Sequence, residues 1–298
     1  PGQYLMGTLV SLSVALGIPS ESVPVGIIWL LAFLGGMLAG ALWGAIPGLL
    51  KALLNINEVL ACIMTNWIAA NLVTWMFDIS SFKNVTEGTK SGYIYKTTFN
   101  GVATPKLGLD QLFPGSQVNA GILVAIILAI VVYIIMEKTV FGYELKACGA
   151  NRHAARYAGI NEKKNVILSM TIAGALAGFG AGLFYLSGGG EWNPLNSTSL
   201  PAMGFNGISV ALLASSNPIG TIFSALFISH ISVGGTFLST KYYPTEIADL
   251  ISGIIIYLCA FSMLFRGKIH GLLFKNADKT NVNAEPAPAK TETKKEGK

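Results

Sequence analysis

Uncharged polar and aromatic side chains form the clearest candidate for contact with a solute. Trp67, Asn71 and Trp75 recur at every fourth residue, so a helix places them on one face, with Asn66 and Thr74 beside them. Aromatic rings stack on a sugar or a base, and amides exchange hydrogen bonds with hydroxyl groups. The pattern therefore indicates a solute path. Asparagines that hydrogen-bond to neighbouring helices are the alternative.

A second aromatic–amide pair occurs far along the chain, at Phe205 and Asn206. Together the two stretches give the candidate path residues Asn66, Trp67, Asn71, Phe205 and Asn206.

The sequence lacks the residue sets that catalysis or metal binding requires. It has no G-x-x-x-x-G-K-[ST] loop and no Gly-x-Ser-x-Gly elbow. His153, His230 and His270 are too far apart for a helical metal site, and the cysteines form no disulfide framework. Glu58 and Asp249 lie near the ends of apolar runs and form no intramembrane pair. We therefore predict no catalytic residue, metal or cofactor in this chain.

The elements that position these side chains are apolar. Of 298 residues, 52% are hydrophobic and 12% are charged, about half the ~25% of a soluble domain. Within residues 1–77 the only charged side chains are Glu21, Lys51 and Glu58. This distribution excludes an ordinary cytosolic enzyme and predicts a membrane protein, in which Trp75 could also be an interfacial anchor.

Eight apolar runs approach the ~20 residues that a spanning helix needs. We predict an all-α, polytopic transmembrane helix bundle within a permease domain of residues 1–265. The last runs include a broken or re-entrant pair around Asn217–Pro218, since proline disfavours helix at the preceding residue. The runs are 4–18, 23–45, 57–77, 119–136, 166–188, 202–216, 217–237 and 247–265.

Lysine and arginine predict the orientation. Segment 137–165 contains Lys138, Lys146, Arg152, Arg156, Lys163 and Lys164, and the tail 266–298 is also basic, so both are expected in the cytoplasm together with 46–56. Segments 78–118, 189–201 and 238–246 are then outside. The tail has almost no large apolar residues and is predicted to be largely disordered. The net charge of +5 thus reflects topology and does not indicate nucleic-acid binding.

Two glycine ladders with a spacing of four predict close helix packing. Each ladder lies on one face of an apolar run; the members are Gly36, Gly40 and Gly44, and Gly174, Gly178 and Gly182.

Segment 137–165 also contains a short predicted helix. Asn151 is suited to cap a helix over 152–158, and Gly159 is suited to end it. Arg152 and Arg156 then lie one turn apart, which favours docking on a soluble partner. A basic loop at the membrane surface is the alternative.

Four stretches of the sequence resemble one family. Residues 142–147 and 149–160 look like the coupling loop of bacterial ABC importer permeases of the ribose/simple-sugar and branched-chain amino-acid type. Residues 40–69 are similar to the nucleoside and simple-sugar members, and 204–220 to a Gly-Phe-Asp-Gly-Ile segment of the family. Residues 2–7 resemble an early Glu-Gly-Gln stretch. Asn206 replaces the usual Asp, and Pro1 stands where Glu is usual.

The resemblance implies a transmembrane subunit of an ATP-driven importer in the bacterial cytoplasmic membrane, with a cytoplasmic C-terminus. Its partners would be an ABC ATPase that binds ATP and Mg, a second identical or homologous permease, an extracytoplasmic substrate-binding lipoprotein and membrane lipid. Docking on the ATPase would involve Glu144, Arg152, Arg156 and Tyr157. The family has membrane segments before the point corresponding to Pro1, so N-terminal segments are expected to be missing.

The implied substrate is a neutral polar solute, nucleosides first and a ribose-like simple sugar second. A secondary carrier or channel remains an alternative. A membrane enzyme acting on lipid would need a buried nucleophile or metal pair, which the sequence lacks.

Overall fold

The computed structural model describes residues 1–19, 22–80, 118–187 and 200–237, isolated residues between 102 and 111, residue 192, and isolated residues between 247 and 261. The regular elements of these residues are α-helices. The chain divides into two units, Pro1–Leu226 and Phe227–Lys298. In the second unit, the rings of Tyr257 and Phe261 stack with centroids 5.7 Å apart.

Four of the described helices have the length and hydropathy to cross a membrane: α2, α3, α4 and α7. Helices α8 and α9, of 12 and 17 residues, are shorter. Four spanning-length helices are therefore found among the residues that the structure describes, and the figure of about eight membrane segments stays a prediction. The helices are α1 (Gly2–Gly17), α2 (Val25–Leu54), α3 (Glu58–Asp78), α4 (Gly121–Lys138), α5 (Val140–Ala150), α6 (Arg152–Tyr157), α7 (Glu162–Tyr185), α8 (Ala202–Leu213) and α9 (Gly220–Thr236).

Helix α2 is longer than the apolar run predicts. The run was expected to end at residue 45, but the helix continues through Pro47 to Leu54 and ends at Asn55 in the left-handed region (φ 52°). Gly48 continues the packing surface, since a Cβ there would lie 3.2 Å from Ile167 Cα. Segment 46–56, which lies between two of the predicted apolar runs, is therefore helical as far as Leu54. Packing outweighs the helix-breaking tendency of Pro47, which is itself buried.

Helix α1 packs against α2, α3 and α7. Its side chains Leu5, Leu9 and Leu12 belong to the same buried cluster as Phe33 of α2 and Phe77 of α3. The 16-residue helix α1 is therefore a core element of the first unit, although it is short for a membrane span.

A turn separates α8 from α9. Ser215 and Ser216 have positive φ values of 50° and 59°, and the amide of Ser216 donates to the Ala211 carbonyl at 2.8 Å. Asn217 Oδ1 then accepts the backbone N–H of Ile219 and of Gly220, at 2.9 and 3.1 Å. The chain thus leaves one helix and enters the next around Asn217–Pro218, where the sequence predicts a break.

Several predicted features lie outside the described residues. They are the disordered tail 266–298 and most of 78–118, 189–201 and 238–246. The run 247–265 is described at isolated positions only.

Candidate functional site

Helix α6 is a short helix with a cap at each end. Asn151 Oδ1 accepts the backbone N–H of His153 at 3.0 Å and of Ala154 at 3.1 Å. At the other end Gly159 has φ +81°, its N–H donates to Arg156 O, and the Ile160 N–H donates to Ala155 O, both at 3.0 Å. These two bonds form a Schellman motif. The predicted helix with Asn151 as its cap and Gly159 as its end is confirmed.

The side chains of α6 point mostly away from the protein. Tyr157 is 94% exposed, and Arg152 and Arg156 are exposed, whereas Ala155 is buried. The helix is thus anchored through one small residue and presents two guanidinium groups and a phenol ring outward.

Glu144 lies on α5, a helix that the sequence analysis missed. Thr139 caps α5 by accepting the Gly142 N–H at 3.2 Å, and this Thr–x–x–Gly start was the signal available in the sequence. Glu144 Oε2 accepts from Asn165 Nδ2 at 3.1 Å. The carboxylate that was predicted to dock on a partner therefore also ties α5 to the first turn of α7.

The α2–α3 connection lies beside α6. Lys51, Asn55, Arg152 and Lys163 all line a cavity of about 390 Å³. Lys51 Nζ lies 2.7 Å from Glu58 Oε2 across the connection. These basic segments thus share one end of the helix bundle, as the positive-inside pattern requires.

The structure separates the candidate path residues of α3. Asn66 is buried, and its Oδ1 accepts the backbone N–H of Gly2 in α1 at 2.7 Å. Trp67 is 44% exposed and Trp75 60% exposed, and exposed Asn71 donates from Nδ2 to the Trp67 carbonyl at 2.8 Å. Asn66 therefore joins two helices, while the stripe Trp67–Asn71–Trp75 faces outward.

The start of α1 connects α3 with α8. Tyr4 Oη donates to Met203 Sδ at 3.1 Å, and a Cβ on Gly204 would lie 2.7 Å from Pro1 Cγ. Phe205 is 51% exposed and Asn206 is half-buried on the same helix. The two candidate path stretches thus adjoin one another through the first turn of α1.

The two glycine ladders face each other in the structure. A Cβ on Gly40 would collide with the Gly174 carbonyl oxygen, one on Gly174 with that of Gly40, and one on Gly178 with that of Gly36. A Cβ on Gly44 would lie 2.6 Å from Met170 O. We call this contact between α2 and α7 the glycine seam.

Residues outside the two ladders also contact the glycine seam. Gly182 meets the ring of Phe33, 3.2 Å from its added Cβ, instead of another glycine. Gly7 of α1, which the sequence analysis missed, packs against the Gly178 backbone. The signal available in the sequence was a single glycine, Gly7, near the start of the apolar run 4–18.

Metal coordination has no basis in the described residues, where no group of three or more His, Cys, Asp or Glu side chains could hold an ion. The four spanning-length helices among the described residues are the features of a multi-pass membrane protein.

Comparison with known proteins identifies the family. The family model for the permease component of branched-chain amino acid transport systems matches residues 1–260, so the chain belongs to this family. The nucleoside ABC transporter permease protein NupB of Lactococcus lactis is 35% identical over 271 residues, 88% of this chain and 71% of the relative. The guanosine ABC transporter permease protein NupP of Bacillus subtilis is 33% identical over 249 residues, 83% of this chain and 69% of the relative.

A sugar transporter is also related. The glucose ABC transporter permease protein TsgB13 of Haloferax volcanii is 27% identical over 282 residues, 92% of this chain and 71% of the relative. No solved structure matches the chain.

Proposed function

We propose that this chain is the membrane subunit of an ABC importer that carries nucleosides across the cytoplasmic membrane, and that it performs no chemistry itself. The observation that supports this most strongly is the identity of 35% and 33% to permeases named for nucleoside and guanosine transport. The aromatic and amide side chains of Trp67, Asn71, Phe205 and Asn206 suit a ligand with a flat base and a hydroxylated sugar.

In this proposal α6 is the docking element for the ATPase. Its exposed Arg152, Arg156 and Tyr157 would lie against a cleft of that subunit, which binds ATP and Mg. Since Asn165 bonds to Glu144, movement of α5 and α6 would reach α7 directly. Because α7 packs closely on α2 at the glycine seam, movement of α7 would also move α2. Transport requires two arrangements of these helices. The substrate must favour one of them and the ATPase must favour the other.

The complete transporter would contain about eight membrane segments in this chain, with 137–165, 46–56 and the C-terminus in the cytoplasm. A second identical or homologous permease would complete the path, and an extracytoplasmic lipoprotein would deliver the substrate. The broken pair α8–α9 would line the substrate path, since non-helical backbone at membrane depth must be buried in protein or line a water-filled cavity.

Uptake of a labelled nucleoside into cells expressing the transporter tests the proposal. We expect ATP-dependent uptake that unlabelled guanosine and other nucleosides reduce and glucose or ribose do not. Competition by sugars alone would favour the second candidate, a simple-sugar permease, which the TsgB13 relative supports. Uptake that persists after ATP depletion would contradict the importer and favour a secondary carrier.

A further inference from the structure

A cavity of about 690 Å³ lies between the end of α4, α5 and α7. Its wall is largely apolar and includes Ile135, Phe141, Leu145, Ile172 and Leu176. The volume is in the range of small-molecule sites. None of the candidate path residues lines it, and of the outward-facing α6 residues Arg152, Arg156 and Tyr157 only Arg152 does.

The cavity has the depth of one membrane leaflet. Along α7 its lining extends from Asn165 to Leu176, about 16 Å at about 1.5 Å per residue. Half of the hydrocarbon core is about 15 Å. Ile135 and Ile172 are exposed, and only 6% of the apolar stretch of α4 is buried, so the cavity opens onto an exposed apolar surface of the described residues.

One end of the cavity is polar and basic. Lys146 and Arg152 line it there. Lys146 Nζ contacts Glu137 Oε1 at 2.5 Å, which leaves other ammonium hydrogens to donate. Arg152 adds a guanidinium, the side chain best suited to a phosphate.

Asn165 is the unusual residue of this end. It is 2% exposed, and its Nδ2 donates to Glu144 Oε2 at 3.1 Å and to Cys148 Sγ at 3.7 Å. Its buried Oδ1 has no hydrogen-bond partner. An unpaired buried acceptor destabilises the folded protein, so this oxygen favours a ligand that brings a hydrogen-bond donor.

We propose that this cavity is a binding site for one phospholipid with a negatively charged, hydroxyl-bearing headgroup, of the phosphatidylglycerol type. An acyl chain lies along α7 between Ile135, Ile172 and Leu176. The phosphate accepts hydrogen bonds from Lys146 and Arg152, and a headgroup hydroxyl donates to Asn165 Oδ1. This proposal does not depend on which solute the protein transports. Lipid binding can be measured without transport, so the two proposals can fail separately.

Lipid titration of the purified permease, followed by native mass spectrometry, tests the charge requirement. We expect phosphatidylglycerol to bind about tenfold more tightly than phosphatidylcholine with the same acyl chains, because both lipids have a phosphate but Lys146 and Arg152 would repel the choline cation of phosphatidylcholine. Lys146→Gln with Arg152→Gln should abolish this preference. Lys163→Gln with Lys164→Gln, which removes the same charge at the start of α7, should keep it. Equal binding of both lipids by the unmodified protein overturns the proposal.

Two further arms test the position of the lipid. Phosphatidylmethanol has the charge without the hydroxyl, so it should bind several-fold more weakly than phosphatidylglycerol, and Asn165→Leu should remove the difference. Ala173→Phe adds a ring to the cavity wall and should reduce retention, while Ile127→Phe, on an exposed part of α4 away from the lining, should not. If both phenylalanine variants retain lipid equally, it binds elsewhere and the assignment is wrong.

Discussion

Asn66 and Asn71 are the same residue type on the same helix, yet the structure gives them different surroundings. Asn66 accepts a hydrogen bond from another helix at a buried position, and Asn71 bonds within its own helix on an exposed face. In the sequence, Asn66 groups with the stripe because it adjoins Trp67, although adjacent helix positions are about 100° apart and so face different surroundings.

Replacing each asparagine by leucine distinguishes the two roles. Asn66→Leu should lower the free energy of unfolding by about 1 kcal/mol, the scale of an interhelical polar contact in a membrane. Thermal unfolding in detergent measures this. Asn71→Leu should leave the unfolding midpoint nearly unchanged and raise the KM for nucleoside uptake, as a residue of the path would. A stability loss at Asn71 with an unchanged KM would contradict its assignment to the path.

At the scale of elements, the glycine seam sets how closely α2 and α7 approach. A methyl group on Gly40 meets the Gly174 carbonyl oxygen, whereas one on Gly180 of α7 meets nothing within 4 Å. Gly40→Ala should therefore cost about 1–3 kcal/mol from overpacking, less about 1 kcal/mol from the better helix propensity of alanine. Gly180→Ala experiences only the propensity gain and should be neutral or slightly stabilising.

Unfolding midpoints of the two variants, measured in one detergent, check this difference. Equal midpoints would mean that α2 and α7 can move apart without loss of stability, and the glycine seam would then not be required for close packing.

The elements that could be predicted from the sequence are those that a local signal defines. Asn151 and Gly159 are cap residues, so α6 was predictable almost to the residue. The extension of α2 past Pro47 was not, because tertiary packing around a buried proline decides it. The link between Asn165 and Glu144 joins residues 21 positions apart, and no periodicity reports such a pair.

At the scale of the whole molecule, the proposed importer requires that α6 docks on the ATPase. Reversing its charges with Arg152→Glu and Arg156→Glu should abolish ATP-dependent uptake while the protein remains inserted and folded. The physical reason is that two exposed guanidinium groups would become two carboxylates that a complementary acidic cleft repels. Uptake together with the surface amount of permease measures the effect.

A matched pair of reversals separates docking from general basicity. Lys163→Glu with Lys164→Glu makes the same change of charge in exposed side chains at the start of α7, where helix geometry even favours carboxylates. This pair should retain most of the uptake. An equal loss from both pairs would favour a basic loop at the membrane surface over a docking helix.

The glycine seam also has a consequence for how this sequence can change over generations. Every single-nucleotide change in a glycine codon that yields another amino acid adds at least a Cβ atom, and at Gly40, Gly174 and Gly178 that atom would overlap a carbonyl oxygen of the facing helix. Each one-step neighbour at these positions therefore has an overpacking cost, which a compensating shift of the opposite helix would relieve. Mutational drift should accordingly avoid this line through the protein while it proceeds on the exposed faces of α2 and α7.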